Sequence, residues 1–240
     1  MNALTWLTRR HTTLPAEQQR RRDALPAPAA PDETPLAQQR LVVLDLETSG
    51  LDMRHDRLLA IAAIALRVDW QRRTLGVALG DSFEVVVQQD EASSKDNILL
   101  HGIGAQMQRN GMPAAQALQA FENYVQDSPL LAFHAAFDRS MINRHARQHL
   151  GHALPNPWVD VDHLCAVTHE QVRARALDDW MAHFGIRCAV RHQAAADTLV
   201  ECDLLQRIWP RVAAQCSSWA DVQRLAAQHR WLARHRDGSG

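Results

Sequence analysis

The run Leu41-Val42-Val43-Leu44 stops at Asp45, and the next two residues split into apolar Leu46 and acidic Glu47. Four apolar residues in a row leave no face for water, the pattern of a strand covered on both sides at the centre of a sheet. On such a strand residues i and i+2 share a face, so Asp45 and Glu47 aim two carboxylates at one point. That point lies where the apolar strand runs out, the usual edge for a site on an open α/β sheet. Taken alone, the same pattern also describes a strand end carrying solubilising acids.

The neighbours of this strand follow from the same patterning. Leu59–Val68 is a second apolar run, and Phe83–Val87 alternates with Glu84 and Gln88, so both read as strands. Gly76 and Gly80-Asp81 supply turn chemistry between them. Past about residue 112 the period becomes helical. Ala114, Leu118, Phe121 and Val125 recur behind Pro113, and a short strand follows at Leu130–Phe133. A helix carrying Phe137, Met141 and Ile142 stops before Gly151, and Pro155–Val159 reads as a last strand. Helices are then expected at His163–Thr168, Leu177–Phe184 and Leu199–Trp209, with a final one capped by Ser217 or Ser218. Three strands followed by alternating helices and strands predict an α/β fold, a mixed five-stranded sheet flanked by helices.

The chain divides by composition into an N-terminal extension with a Pro/Ala-rich linker (1–38), a central domain (39–210) and a C-terminal helical extension (211–240). Its longest apolar run, Leu58–Leu66, is far too short to cross a membrane. The four cysteines form no C-x-x-C pair, which fits a reducing compartment, so a soluble cytoplasmic protein is expected. The net charge of −1 is unevenly spread. Residues 1–40 hold six Arg against four acids, residues 207–240 six Arg against two, and the stretch between carries 14 basic and 21 acidic residues. An acidic centre between basic ends suits a carboxylate metal site with cationic flanks for an anionic ligand. Ordinary solvated faces produce the same sums.

Two further acid motifs lie downstream. In Phe133-His134-Ala135-Ala136-Phe137-Asp138 the aspartate falls in the first turn of a helix, where a carboxylate suits the dipole whether or not it does chemistry. In His192-Gln193-Ala194-Ala195-Ala196-Asp197 the five-residue spacing is about 140° out of phase on a helix, so both side chains cannot share one face. His192 therefore belongs to the loop or first turn, and Asp197 to a helix packed down by Leu199, Cys202 and Leu205. Hard divalent cations such as Mg²⁺ take carboxylate oxygens of this kind. An imidazole, with its ordinary pKa of about 6.5, can take a proton near neutral pH.

In combination, D-x-E, then F-D, then H-x4-D resembles the DnaQ-like (DEDDh) 3′→5′ exonuclease family on the ribonuclease H-like fold, to which the proofreading epsilon subunit of DNA polymerase III belongs. The matching stretches are VVLDLETSGL, HAAFDRSM and RHQAAADT, with LLHGIGAQM and ALDDWMAHFGI in support. The resemblance implies a metal-dependent exonuclease that releases nucleoside 5′-monophosphates from the 3′ ends of single-stranded DNA or RNA, with DNA favoured. It implies two Mg²⁺ or Mn²⁺ ions per site. Asp45, Glu47 and Asp197 would hold one, Asp45 would bridge to the other on the Asp138 side, and His192 would act as general base. Thr48, Gly50, Leu51, His101, Ile103 and Phe137 match the family's pocket for the terminal nucleotide. One departure is visible: where many members read H-N-x-x-F-D, this chain has Phe133 and His134. A stand-alone nuclease is expected, since no clamp-binding peptide is legible. The resemblance also admits a DNA polymerase as partner and a catalytically quiet, nucleic-acid-binding or polymerase-associated module as alternative.

Overall fold

The computed structural model describes residues 38–229. All but the last residue of the N-terminal extension and linker expected over 1–38, and the last eleven residues, lie outside the described residues. The first three strands, β1 (Gln39–Thr48), β2 (Leu58–Asp69) and β3 (Thr74–Val86), form an antiparallel meander. Helices α1 (Lys95–His101), α2 (Ala105–Arg109) and α3 (Ala114–Val125) lead to β4 (Leu130–Ala132). Then come α4 (Ala135–His149), β5 (Trp158–Asp160), α5 (Val161–Thr168), α6 (Leu177–Phe184), α7 (Ala194–Gln215) and α8 (Trp219–Ala227). The sheet order is β3-β2-β1-β4-β5, with β1, β4 and β5 parallel.

β1 is the sheet's centre, and Leu41 through Leu44 are 0% exposed. Its two faces feed two separate cores. Leu41 and Val43 pack with Leu204, Leu205 and Ile208 of α7 and with Trp219 and Val222 of α8. Val42, Leu44 and Leu46 pack with Leu118 and Phe121 of α3 and Met141 and Ile142 of α4. Each such side chain, fully buried, contributes roughly 1.5–3 kcal/mol of transfer free energy, which is why this strand cannot slip in register. Asp45 and Glu47 continue the stripe of Leu41 and Val43, toward the face that α7 covers.

Several local expectations need correction. Gly76 and Gly80-Asp81 do not close turns, because β3 runs straight through them. The β2–β3 pairing shifts between Ile64, opposite Ser82, and Ala65, opposite Ala78, so the intervening residues of β3 bulge out. Asp81 in that bulge is gripped by Arg40 at 2.8 Å and Arg67 at 2.9 Å. Leu199 is exposed; the buried stripe of α7 runs instead through Val200, Leu204 and Ile208, at helical spacing. Two short helices, α1 and α2, were not legible, since seven and five residues carry too little periodicity. α1 is defined by its caps, Ser94 accepting from the Asn97 N–H and Gly102 in the left-handed conformation. α7 passes unbroken through residue 210, and α8 adds Leu225 and Ala226 to the same core as β1.

Candidate active site

Register builds the site. Val43 pairs with Leu131, and β4 ends one residue later at Ala132, so the chain leaves the sheet at the level of Asp45. The exit is a left-handed residue, His134 at φ 59, whose N–H donates to Asp160 Oδ1 at 3.1 Å. Asp and Asn tolerate that conformation best and His moderately well, so His134 is sterically acceptable where many relatives of this motif carry Asn. α4 then starts at once and holds Asp138, buried, in its first turn. From the opposite face α7 delivers Asp197 in its first turn and Glu201 one turn further on, the latter 1% exposed. Glu201 Oε2 accepts the N–H of Phe133 at 3.0 Å and so ties α7 to the end of β4.

His192 precedes α7 in a left-handed conformation, φ 61, with its side chain exposed. Its N–H donates to Asp197 Oδ2 at 3.0 Å. A cavity of about 580 Å³ is lined by Asp45, Glu47, Asp138, His192 and Asp197 together. Burial, and next the Asp138, Glu47 and Asp197 charges, push the Asp45 carboxyl well up. Burial and the Asp197 charge push Glu47 up to about 7. Asp138 and Glu201 are raised too, burial again leading. Buried carboxyl groups such as Asp45, facing the Asp138, Glu47 and Asp197 charges, mark a site short of positive charge.

The positive charge present is Arg191. Its guanidinium pairs Nη1 with Asp197 Oδ1, and Nε with Asp178 Oδ1 of α6 at 2.7 Å. The same charge partly offsets the upward shifts of Asp45 and Glu47. Among the described residues no three acid, imidazole or thiol side chains stand around one point closely enough to hold a metal ion as arranged. Of the acids lining the cavity, Asp197 is the one paired with the guanidinium.

The profile of the exonuclease family named RNase T matches residues 42–205, well over half of the chain. The chain belongs to that family. Similar proteins include a PolC-type DNA polymerase III of Oceanobacillus iheyensis, 26% identical over 177 residues, and a DNA polymerase III subunit epsilon-like protein of Rhodobacter capsulatus, 27% identical over 186. These alignments take in 74% and 76% of this chain but 12% and 25% of the relatives' own lengths. Among solved structures, E. coli exonuclease I in complex with a dT13 oligonucleotide superposes with a TM-score of 0.59 at 18% identity, covering 72% of this chain and 41% of that one. Exonuclease I from Methylocaldum szegediense gives 0.56 at 18%, covering 74% and 43%. The expected ribonuclease H-like architecture, five mixed strands between helices, is the fold observed.

In this family member the residues expected to hold a nucleotide divide into two sets. Thr48, Gly50, Leu51 and Phe137 line the cavity, with Leu51 85% exposed at its rim. A Cβ at Gly50 would stand 2.4 Å from Asp56 Oδ2, so a larger residue there would push the Asp56 side chain aside. His101 and Ile103 do not line the cavity. Ile103 packs with Leu59 and Ala60, and His101 is buried. His101 accepts the Ile103 N–H at Nδ1 (2.9 Å), which leaves Nε2–H to donate to Asn97 Oδ1 (2.9 Å). Asn97 in turn donates to the Thr48 carbonyl at 3.0 Å. His101 thus braces the wall from behind, through a residue that sequence reasoning passed over. Asn97 and Leu100 on α1 line the cavity as well. The four-residue spacing of Asn97 to His101 was the available signal, obscured by the shortness of α1. Among the described residues no helix is long and apolar enough to cross a membrane.

Proposed function

We propose that this chain hydrolyses single-stranded nucleic acid stepwise from the 3′ end, DNA ahead of RNA, releasing nucleoside 5′-monophosphates. The observation that carries this is the gathering of Asp45, Glu47, Asp138, Asp197 and His192, from three separate segments, around one cavity at the end of the parallel strands. The preference for DNA draws on the similarity to DNA polymerase III proteins and to an exonuclease I bound to dT13.

The donor set fits Mg²⁺ or Mn²⁺. All four acids offer hard oxygen, their mutual repulsion calls for added positive charge, and a guanidinium already serves as stand-in cation on Asp197. Asp45, Glu47, Asp138 and Asp197 would hold the metal, two ions per site. When bound, the ions supply Lewis acidity and a charge clamp for the attacking and leaving oxygens. His192, exposed at the mouth on a loop, takes the proton of the attacking water. Its backbone tie to Asp197 keeps the imidazole on the side of the acids. Leu51 and Phe137 offer apolar surface to the terminal base and sugar, and the Thr48–Gly50 backbone borders the reacting end. Thr48 Oγ1 donates to the Gly50 carbonyl at 2.7 Å and so sets the shape of that border.

A second reading rests on the PolC and epsilon-like relatives, in which the matching segment is a fraction of a larger protein. On it the chain works beside, or merely binds with, a DNA polymerase. A digestion panel separates the two. Labelled single-stranded and duplex DNA and RNA are incubated with Mg²⁺ or Mn²⁺, and mononucleotide release fastest on single-stranded DNA is the expected result. Binding to the same oligonucleotides without release under either metal would make the chain a quiet module.

A further inference from the structure

We propose that Arg191 is a resident cation of the acid cluster, that the divalent metal displaces it from Asp197, and that Asp178 retains the displaced guanidinium. This rests on the metal-dependent reading above and deepens it by naming what the metal competes with.

The two carboxylates that share Arg191 are unequal. The Asp197 side chain is 8% exposed and that of Asp178 is 64% exposed. A buried carboxylate needs a cation far more than an exposed one does, because water cannot solvate it. Asp197 therefore keeps the guanidinium in the site until a better-charged competitor arrives. Asp178 marks the place to which it can withdraw without leaving the protein. Arg191 Nη1 and Asp197 Oδ1 form an ion pair. Oδ2 of the same carboxylate is already committed to the His192 N–H. Oδ1 is thus the oxygen left for a cation, and Arg191 Nη1 occupies it. The Nε bond to Asp178 has ordinary length and counts as a hydrogen bond. Because Nε is bonded to Asp178, the guanidinium keeps one carboxylate partner when a cation takes its place on Asp197.

A strut role, in which Arg191 only pins α6 to the start of α7, gives different results when metal affinity is measured directly. Mn²⁺ binding to the full chain is followed by calorimetry, with no nucleic acid present. Arg191→Gln removes the competitor and is expected to bind Mn²⁺ about three- to tenfold more tightly than the unmodified protein. Asp178→Asn removes the withdrawal partner and is expected to bind it more weakly by a similar factor. Unchanged or weaker binding in Arg191→Gln overturns the proposal. Should that variant fail to fold, the Asp178→Asn arm decides alone: unchanged or tighter binding there overturns it. If the unmodified protein binds no Mn²⁺, the metal-dependent function falls and this inference falls with it. If the unmodified protein binds Mn²⁺ and releases nucleotides while both variants bind alike, only the role of Arg191 is lost.

Discussion

The backbone N–H of His192 sits on Oδ2 of Asp197, 3.0 Å away, while the residue stands exposed at the rim of the acid cavity. On a continuous helix residues five apart diverge by about 140°. The left-handed turn at His192, one residue ahead of Gln193 and the start of α7, resolves that mismatch. The backbone thereby satisfies one carboxylate oxygen, Oδ2, without using the side chain.

That arrangement separates chemistry from stability. His192→Ala and His192→Gly are both expected to lower kcat by about 10² to 10⁴-fold, the range for removing a general base. Glycine adopts φ near +60° without a Cβ penalty, so the Gly variant should be about 1 kcal/mol more stable than the Ala variant. Single-turnover rates and urea midpoints on the two proteins check both parts. A rate within a few fold of the unmodified protein would remove His192 from the chemistry.

Glu201 is buried among the acids, yet its carbonyl-like acceptor role toward the Phe133 N–H needs no charge. Glu201→Gln keeps an acceptor and removes an acid that burial and the Asp45 and Asp138 charges disfavour. It should be at least as stable as the unmodified protein at pH 7. Glu201→Ala leaves the Phe133 N–H unpaired beside a cavity and should lose about 2–4 kcal/mol. Denaturant unfolding of both variants tests the contrast, which reverses if Glu201 is held mainly as an anion.

The acid stripe of β1 was legible because burial on both faces makes a strand whose first polar residues stand out at once. Asp138 and Asp197 were legible through the family resemblance that the three motifs carry together, since Asp138 alone reads equally as a helix cap. What sequence could not show depends on contacts between distant segments. The β3 bulge at Gly80-Asp81 exists because Arg40 and Arg67 converge on Asp81. Asn97 reaches Thr48 only after α1 has docked. His101 and Ile103 have the right local sequence for a pocket, yet packing turns them inward. Arg191 looked like one arginine among many, and its importance comes from the buried carboxylate it meets.

His145 gives the fold a pH dependence of its own. Its Nδ1–H donates to the Met141 carbonyl at 2.9 Å and its Nε2 accepts the Leu58 N–H at 3.2 Å. Protonation would set a second N–H against the Leu58 N–H, and burial, the largest cause, holds the imidazole pKa down at about 4. The folded pKa lies below the unfolded value of about 6.5, so this contribution is complete above pH 6.5 and is lost as pH falls toward 4. The loss is on the order of 2–3 kcal/mol. Urea midpoints at pH 7.5 and pH 5 should differ for the unmodified protein and differ less for His145→Gln. An equal drop in both would place the acid sensitivity elsewhere.

The most direct test of the account follows 5′-labelled single-stranded DNA during incubation with Mn²⁺, comparing the unmodified protein with Asp138→Asn on free and 3′-blocked ends. The prediction is a ladder that shortens by one nucleotide at a time from free 3′ ends only, and that is absent with Asp138→Asn. Internal cuts, equal digestion of blocked ends, or an undiminished ladder from Asp138→Asn would contradict it.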